Sequence, residues 1–94
     1  MEVQDIIWLD AFVEKLWRKH RVRTEEVEEM LSNPSKIRFI EKGDVEGEDI
    51  YAAMGRTRAG RYLITFFIRK SDNSALDISA RDMTRKERRY YEKK

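Results

Sequence analysis

The stretch from Ile78 to Glu92 places Arg81, Arg88 and Tyr91 close in sequence around a change from strand to helix, and it is here that the residue types first suggest chemistry. Guanidinium groups match phosphate oxygens in a forked geometry, and a phenol adds a hydroxyl. Arg88 and Tyr91 are three apart and share a helix face, with Thr84 in line one turn earlier. Arg61 is a further arginine near a strand end, and Lys19 and Arg56 are second choices for holding an anion. His20 is the sole histidine, so it is the one side chain whose ordinary range suits proton exchange near neutrality. Each residue also has a plain structural role open to it. The arginines can pair with Glu87 and Glu92, Tyr90 or Tyr91 can dock the last helix, and His20 can cap helix carbonyls.

These side chains need elements to carry them. Leu76, Ile78 and Ala80 alternate with Asp77, Ser79 and Arg81, which predicts a strand with the first set facing a core. Thr84 followed by Glu87 fits a capping box, so a helix should begin at Arg85. Upstream, Leu9, Phe12, Val13, Leu16 and Trp17 trace one stripe of an amphipathic helix that His20 continues, and Trp17 is expected in the core. Thr24 with Glu25 and Glu26 opens a second helix, which Asn33-Pro34 should end. Lys36 to Ile40, Ile50 to Gly55, Arg61 to Arg69 and Ala75 to Ala80 read as strands, with Thr57 to Gly60 as a hairpin turn and Gly43 to Asp49 as an acidic loop. Tyr62 to Ile68 is apolar on both parities, the mark of a central strand. Val3, Ile6, Ile7 and Trp8 form a short apolar run without helical caps, open to an entry loop but read as a short additional strand. The expected architecture is α+β, an antiparallel sheet of four to five strands packed against two N-terminal helices and one C-terminal helix, in a single domain spanning residues 1–94.

The 94 residues suit one two-layer core. The absence of cysteine removes disulfides, thiolate metal sites and a cysteine nucleophile, and with one histidine no metal or other cofactor is expected. No signal peptide or membrane span is predicted, which points to a cytoplasmic protein without membrane association. The net charge of +2 hides strong patterning. Lys15, Arg18, Lys19, Arg21 and Arg23 give one block of +5, and residues 50–70 and 81–94 are also basic. If the fold gathers these blocks on one face, a polyanion is drawn there. If it scatters them, the surface is simply mixed and soluble.

In order and with similar gaps, Trp8 near an aspartate, Lys19-His20 before Val22, Glu25-Glu26-Val27, Asn33-Pro34, Gly47-Glu48, Gly55-Arg56-Thr57, Gly60-Arg61, Ile78-Ser79-Ala80-Arg81 and Met83-Thr84 leading to Glu87-Arg88-Arg89-Tyr90-Tyr91-Glu92 resemble the BrnT family of bacterial toxins. Two departures stand out. Arg21 occupies a place where that family usually has glycine, and Leu9 separates Trp8 from Asp10. The resemblance implies a RelE-like ribonuclease fold, endoribonuclease activity that arrests growth, and silencing by a cognate BrnA-like antitoxin, with DNA reached only through that antitoxin. Metal-free RNA cleavage needs a base for the 2′-hydroxyl, cationic donors around the in-line phosphorane and an acid for the leaving oxygen. His20 is then the candidate base or acid, Arg61 and Arg81 the candidate phosphate ligands, and Arg88 and Tyr91 a further charge and hydroxyl. Lys19 and Arg56 would contact RNA, and a tyrosine or tryptophan could stack an unpaired base. The rival expectation is a module of the same fold that binds protein or nucleic acid without cleaving.

Overall fold

The stretch that is apolar on both parities does become the middle of the sheet. In a computed structural model that describes residues 5–32, 36–43 and 47–93, strand β4 (Tyr62–Arg69) lies between β3 (Ile50–Arg56) and β5 (Ser74–Asp82). Strand β2 (Lys36–Glu41) pairs antiparallel with β3 at one edge, and β1 (Asp5–Ile7) closes the other edge beside β5. The β1–β5 pairing is parallel, Asp5 opposite Ser74 and Ile7 opposite Leu76, so the sheet is mixed where alternation alone suggested an antiparallel one. The β3–β4 hairpin turns at Thr57–Gly60, where Gly60 takes φ +95° and its N–H donates to the Thr57 carbonyl. The proposed helix stop at Asn33-Pro34 and the middle of the acidic loop lie outside the described residues.

Helices cover both faces of this sheet. Helix α1 (Asp10–Lys15) runs into a wider π-helical turn, Leu16–His20, and α2 (Thr24–Ser32) follows. Leu16, Val22, Val27 and Met30 from these segments bury Ala53, Leu63, Phe67, Ala75 and Ala80 of the strands. A Cβ at Gly55 would sit 3.0 Å from both the Met30 carbonyl and its sulfur, so glycine lets α2 approach β3 this closely. On the opposite face α3 (Arg85–Glu92) brings Tyr91 onto Ala52, Met54 and Ile64, joined by Phe66 and Met83. The Lys36 ammonium donates to the Tyr90 carbonyl at 2.8 Å and fastens the far end of α3 to β2.

Two expectations about side-chain direction are corrected. Trp17 is 44 % exposed, not core. A π turn closes on the fifth residue ahead instead of the fourth, which rotates the apolar stripe, so Leu16 stays inside and Trp17 turns out. Asp77 is buried although the alternation assigned it to the polar side. A β-bulge explains this: Phe66 faces Ser79 while Phe67 faces Asp77, leaving Ile78 as the extra residue and reversing parity below it.

Candidate active site

Ile64 faces Arg81 and Leu63 faces Asp82 across β4 and β5, so consecutive residues at the end of β5 point to opposite sides of the sheet. The candidate residues divide accordingly.

On the side of α2, Arg61 has all five of its N–H donors engaged. Nε and Nη2 reach the Asp82 carboxylate at 2.7 and 3.2 Å, and Nη1 meets Glu26 at 3.1 Å. Nη1 also donates to the Arg21 carbonyl at 2.8 Å, and Nη2 to the His20 carbonyl at 3.1 Å. Hydrogen bonding to Asp82 foremost, and then to Glu26, raises the guanidinium's pKa against the opposing effect of burial. The geometry makes Arg61 a clamp on the end of the π turn, satisfying carbonyls that a helix terminus leaves open. A phosphate would have to displace one of these partners. His20 is held beside Arg61 through its backbone and is half-buried, while Lys19 is exposed.

On the side of α3, Arg81 forks onto Glu87 at 2.7 and 2.9 Å and lies 5.6 Å over the Phe66 ring. Glu87 also accepts from the Thr84 N–H at 2.8 Å, and the Thr84 hydroxyl accepts from the Glu87 N–H at 3.1 Å, completing the expected capping box with α3 starting at Arg85. Bonding from Arg81, and to a lesser degree from the Thr84 N–H, outweighs burial and lowers the Glu87 carboxyl to about 2. Arg81 thereby sets the angle at which α3 leaves the sheet.

Beyond that start, α3 carries its cation to a tyrosine. The Arg88 guanidinium lies 3.9 Å from the Tyr62 ring centroid, and Arg56 lies 5.1 Å from the same ring. Tyr91 meets Tyr62 edge to face at 6.0 Å, and the Tyr62 hydroxyl donates to Glu92 at 3.3 Å. Arg88 reaches Glu92 at 3.7 Å, a loose contact between two half-exposed side chains. The structure thus brings Arg56, Arg88 and Tyr91 together and adds Tyr62 and Glu92. It places Arg81 next to them as the anchor of α3, and His20 with Arg61 around the end of β5. Tyr62 had a sequence signal, because the Thr57–Gly60 turn puts it opposite Arg56. Glu92 had one also, four residues after Arg88 on a helix.

Next to this cluster, a cleft of about 370 Å³ opens between α3 and β2, with Met54, Ile64 and Phe66 on its floor and Arg38, Lys86 and Tyr90 at its rim. Among the described residues no three His, Asp or Glu side chains gather in a metal-binding arrangement, and no helix is long and apolar enough to cross a membrane.

Residues 8–87 match the family model described as "Ribonuclease toxin, BrnT, of type II toxin-antitoxin system". No curated protein matches the chain.

Proposed function

The chain belongs to the BrnT family of ribonuclease toxins of type II toxin–antitoxin systems, and from that premise we propose that it cleaves RNA without a metal at the cluster formed by Arg56, Tyr62, Arg88, Tyr91 and Glu92. The family implies an RNA substrate and an antitoxin protein partner. The observation that carries the location is the pair of guanidinium groups on one tyrosine ring, with Arg88 at 3.9 Å and held by its carboxylate at only 3.7 Å. A phosphate replaces so loose a pair readily, and fixed cations lower the barrier as charge builds on the phosphorane.

In this reading the 2′-oxygen attacks the phosphorus of its own 3′-linkage and the 5′-oxygen leaves, giving a 2′,3′-cyclic phosphate and a 5′-hydroxyl. One proton must come off the 2′-hydroxyl and one must reach the leaving oxygen. Glu92, which accepts from the Tyr62 hydroxyl, and Tyr91 are the groups of this cluster assigned to carry them, whereas His20 stands with Arg61 on the α2 side of the sheet and carries neither. Arg88 with Arg56 holds the scissile phosphate, and Tyr91 supplies a hydroxyl at the rim. Arg81 and Arg61 act at one remove, by fixing α3 and the His20 turn. Lys19 contacts the RNA backbone. The free protein would arrest growth in the cytoplasm until a BrnA-like antitoxin covers it.

The test is cleavage of RNA by the purified protein in EDTA, with the product ends identified. Arg88→Ala should lower the cleavage rate about 100-fold with the thermal transition retained. Arg88→Lys should recover only part, because an ammonium cannot fork onto two oxygens. Glu92→Gln and Tyr91→Phe, read through the pH profile, divide the proton transfers between the two groups, and loss of cleavage in His20→Ala with both of them active would move the site to the α2 side of the sheet. Absence of cleavage by the wild-type chain at every concentration would establish the non-catalytic binding module in its place. Rescue of growth by the product of a neighbouring reading frame tests the antitoxin assignment separately.

A further inference from the structure

We propose that Trp17 is a stacking platform for an unpaired base of the bound RNA, with Arg21 and Arg23 taking the phosphates that flank it; this rests on the ribonuclease reading above and adds a subsite to it. An indole that a regular helix would have buried is instead 44 % exposed, on the outside of the π turn. Two guanidinium groups attend it, Arg21 at 5.2 Å and Arg23 at 5.3 Å from the ring. The groove beside it, about 290 Å³ and lined by Val13, Trp17, Val22, Arg23, Thr24 and Glu25, is large enough for a nucleobase. Its single carboxylate is set against the five cations of residues 15–23.

This combination favours a nucleotide over an apolar protein segment. Covering Trp17 with a protein surface would bury two guanidinium groups without anions to meet them, a costly arrangement. A single strand of RNA offers a base for the ring and a phosphate for each arginine. Stacking of a base on an aromatic ring is stronger than an exposed cation–π contact, so a base displaces a guanidinium from the indole and releases it to the backbone. The platform is also fixed in place. Trp17 lies within one turn of His20, and the carbonyls of His20 and Arg21 are both clamped by Arg61. A base held there belongs to the stretch of RNA running around the end of β5 toward the Arg88 cluster.

The chain's other tryptophan, Trp8, is half-buried with its indole nitrogen enclosed, so a Trp8→Phe variant reports on Trp17 alone. The probe is a single-stranded RNA oligonucleotide of mixed sequence, 2′-O-methylated throughout so that it cannot be cut. Its addition should quench Trp17 fluorescence. In the wild-type background Trp17→Ala should weaken binding about 10-fold and Trp17→Phe should restore most of it, with an unchanged circular dichroism spectrum. An oligonucleotide lacking bases should bind wild type and Trp17→Ala alike. Equal binding of the base-bearing RNA by wild type and Trp17→Ala overturns the proposal, as does loss of antitoxin binding in Trp17→Ala with RNA binding unchanged. If the wild-type chain binds no RNA at all, the ribonuclease reading falls, and the subsite with it.

Discussion

Arg21 adopts φ 54° and ψ 39°, the left-handed region where a side chain crowds the following carbonyl. The helix end therefore keeps a left-handed cap of the kind glycine provides most easily, and an arginine bears the strain. Arg21→Gly relieves the backbone but loses the contact with Trp17, whereas Arg21→Ala loses that contact and keeps the strain. The glycine variant should be more stable than the alanine variant by about 1 kcal/mol in urea denaturation. At this scale the sequence was least legible. Trp17 and Asp77 both obeyed the local period in the sequence and disobeyed it in the fold, because one extra residue rotates the apolar stripe of a helix turn and reverses the two faces of a strand. Spacing does not reveal such an insertion until the neighbouring strand sets the register.

Among the elements, Arg61 joins four segments: β4, which it immediately precedes, β5 through Asp82, α2 through Glu26, and the end of the π turn through two carbonyls. Its side chain is only 26 % exposed, so these bonds are partly shielded from solvent. Arg61→Ala leaves Asp82 and Glu26 without their shared cation and should cost about 2–3 kcal/mol, lowering the melting temperature by roughly 10 °C in a domain this size. Arg61→Lys should recover little, since one ammonium cannot span both carboxylates and both carbonyls. Elements with local chemical signals were readable in advance: the Thr84/Glu87 box, the Thr57–Gly60 turn and the two-faced central strand. The start of α2 was readable within a residue. Thr24 lies inside the first turn, and Glu26 accepts from the Arg23 N–H. Whether Arg61 and Arg81 share a side was hidden, because it depends on β4–β5 register and therefore on the bulge.

For the molecule as a whole, two carboxyl groups give stability opposing dependences on pH. Burial foremost raises Asp77 to about 7, against the lowering effect of bonds from Thr65 and the Ser79 backbone. Geometry agrees with a neutral acid. The Thr65 hydroxyl has one proton and lies against both the Asp77 carboxyl and the Ser79 carbonyl, 2.9 Å away. If it donates to the carbonyl, Asp77 must supply the proton between them. The other Asp77 oxygen is buried with no partner, an arrangement a charged carboxylate tolerates poorly. Since the folded state binds this proton more tightly than the unfolded chain, its contribution is full below about pH 4 and declines as pH rises to about 7. Glu87, lowered to about 2, works the other way: its contribution is present above the ordinary carboxylate range and is lost as pH falls toward 2. Together these two groups should place maximal stability near pH 4–5 in denaturation curves measured across pH, and Asp77→Asn should flatten the decline toward neutrality.

The pairing of β1 with β5 makes the sheet depend on contacts far apart in sequence. Roughly seventy residues separate Asp5–Ile7 from Ser74, Ala75 and Leu76, so β1 has no neighbour in the sheet until β5 has been made. The Arg61 clamp and α3 await the same strand, since Arg61 bonds Asp82 at the end of β5 and α3 begins three residues beyond it. Both faces of the sheet are therefore completed only once β5 is in place.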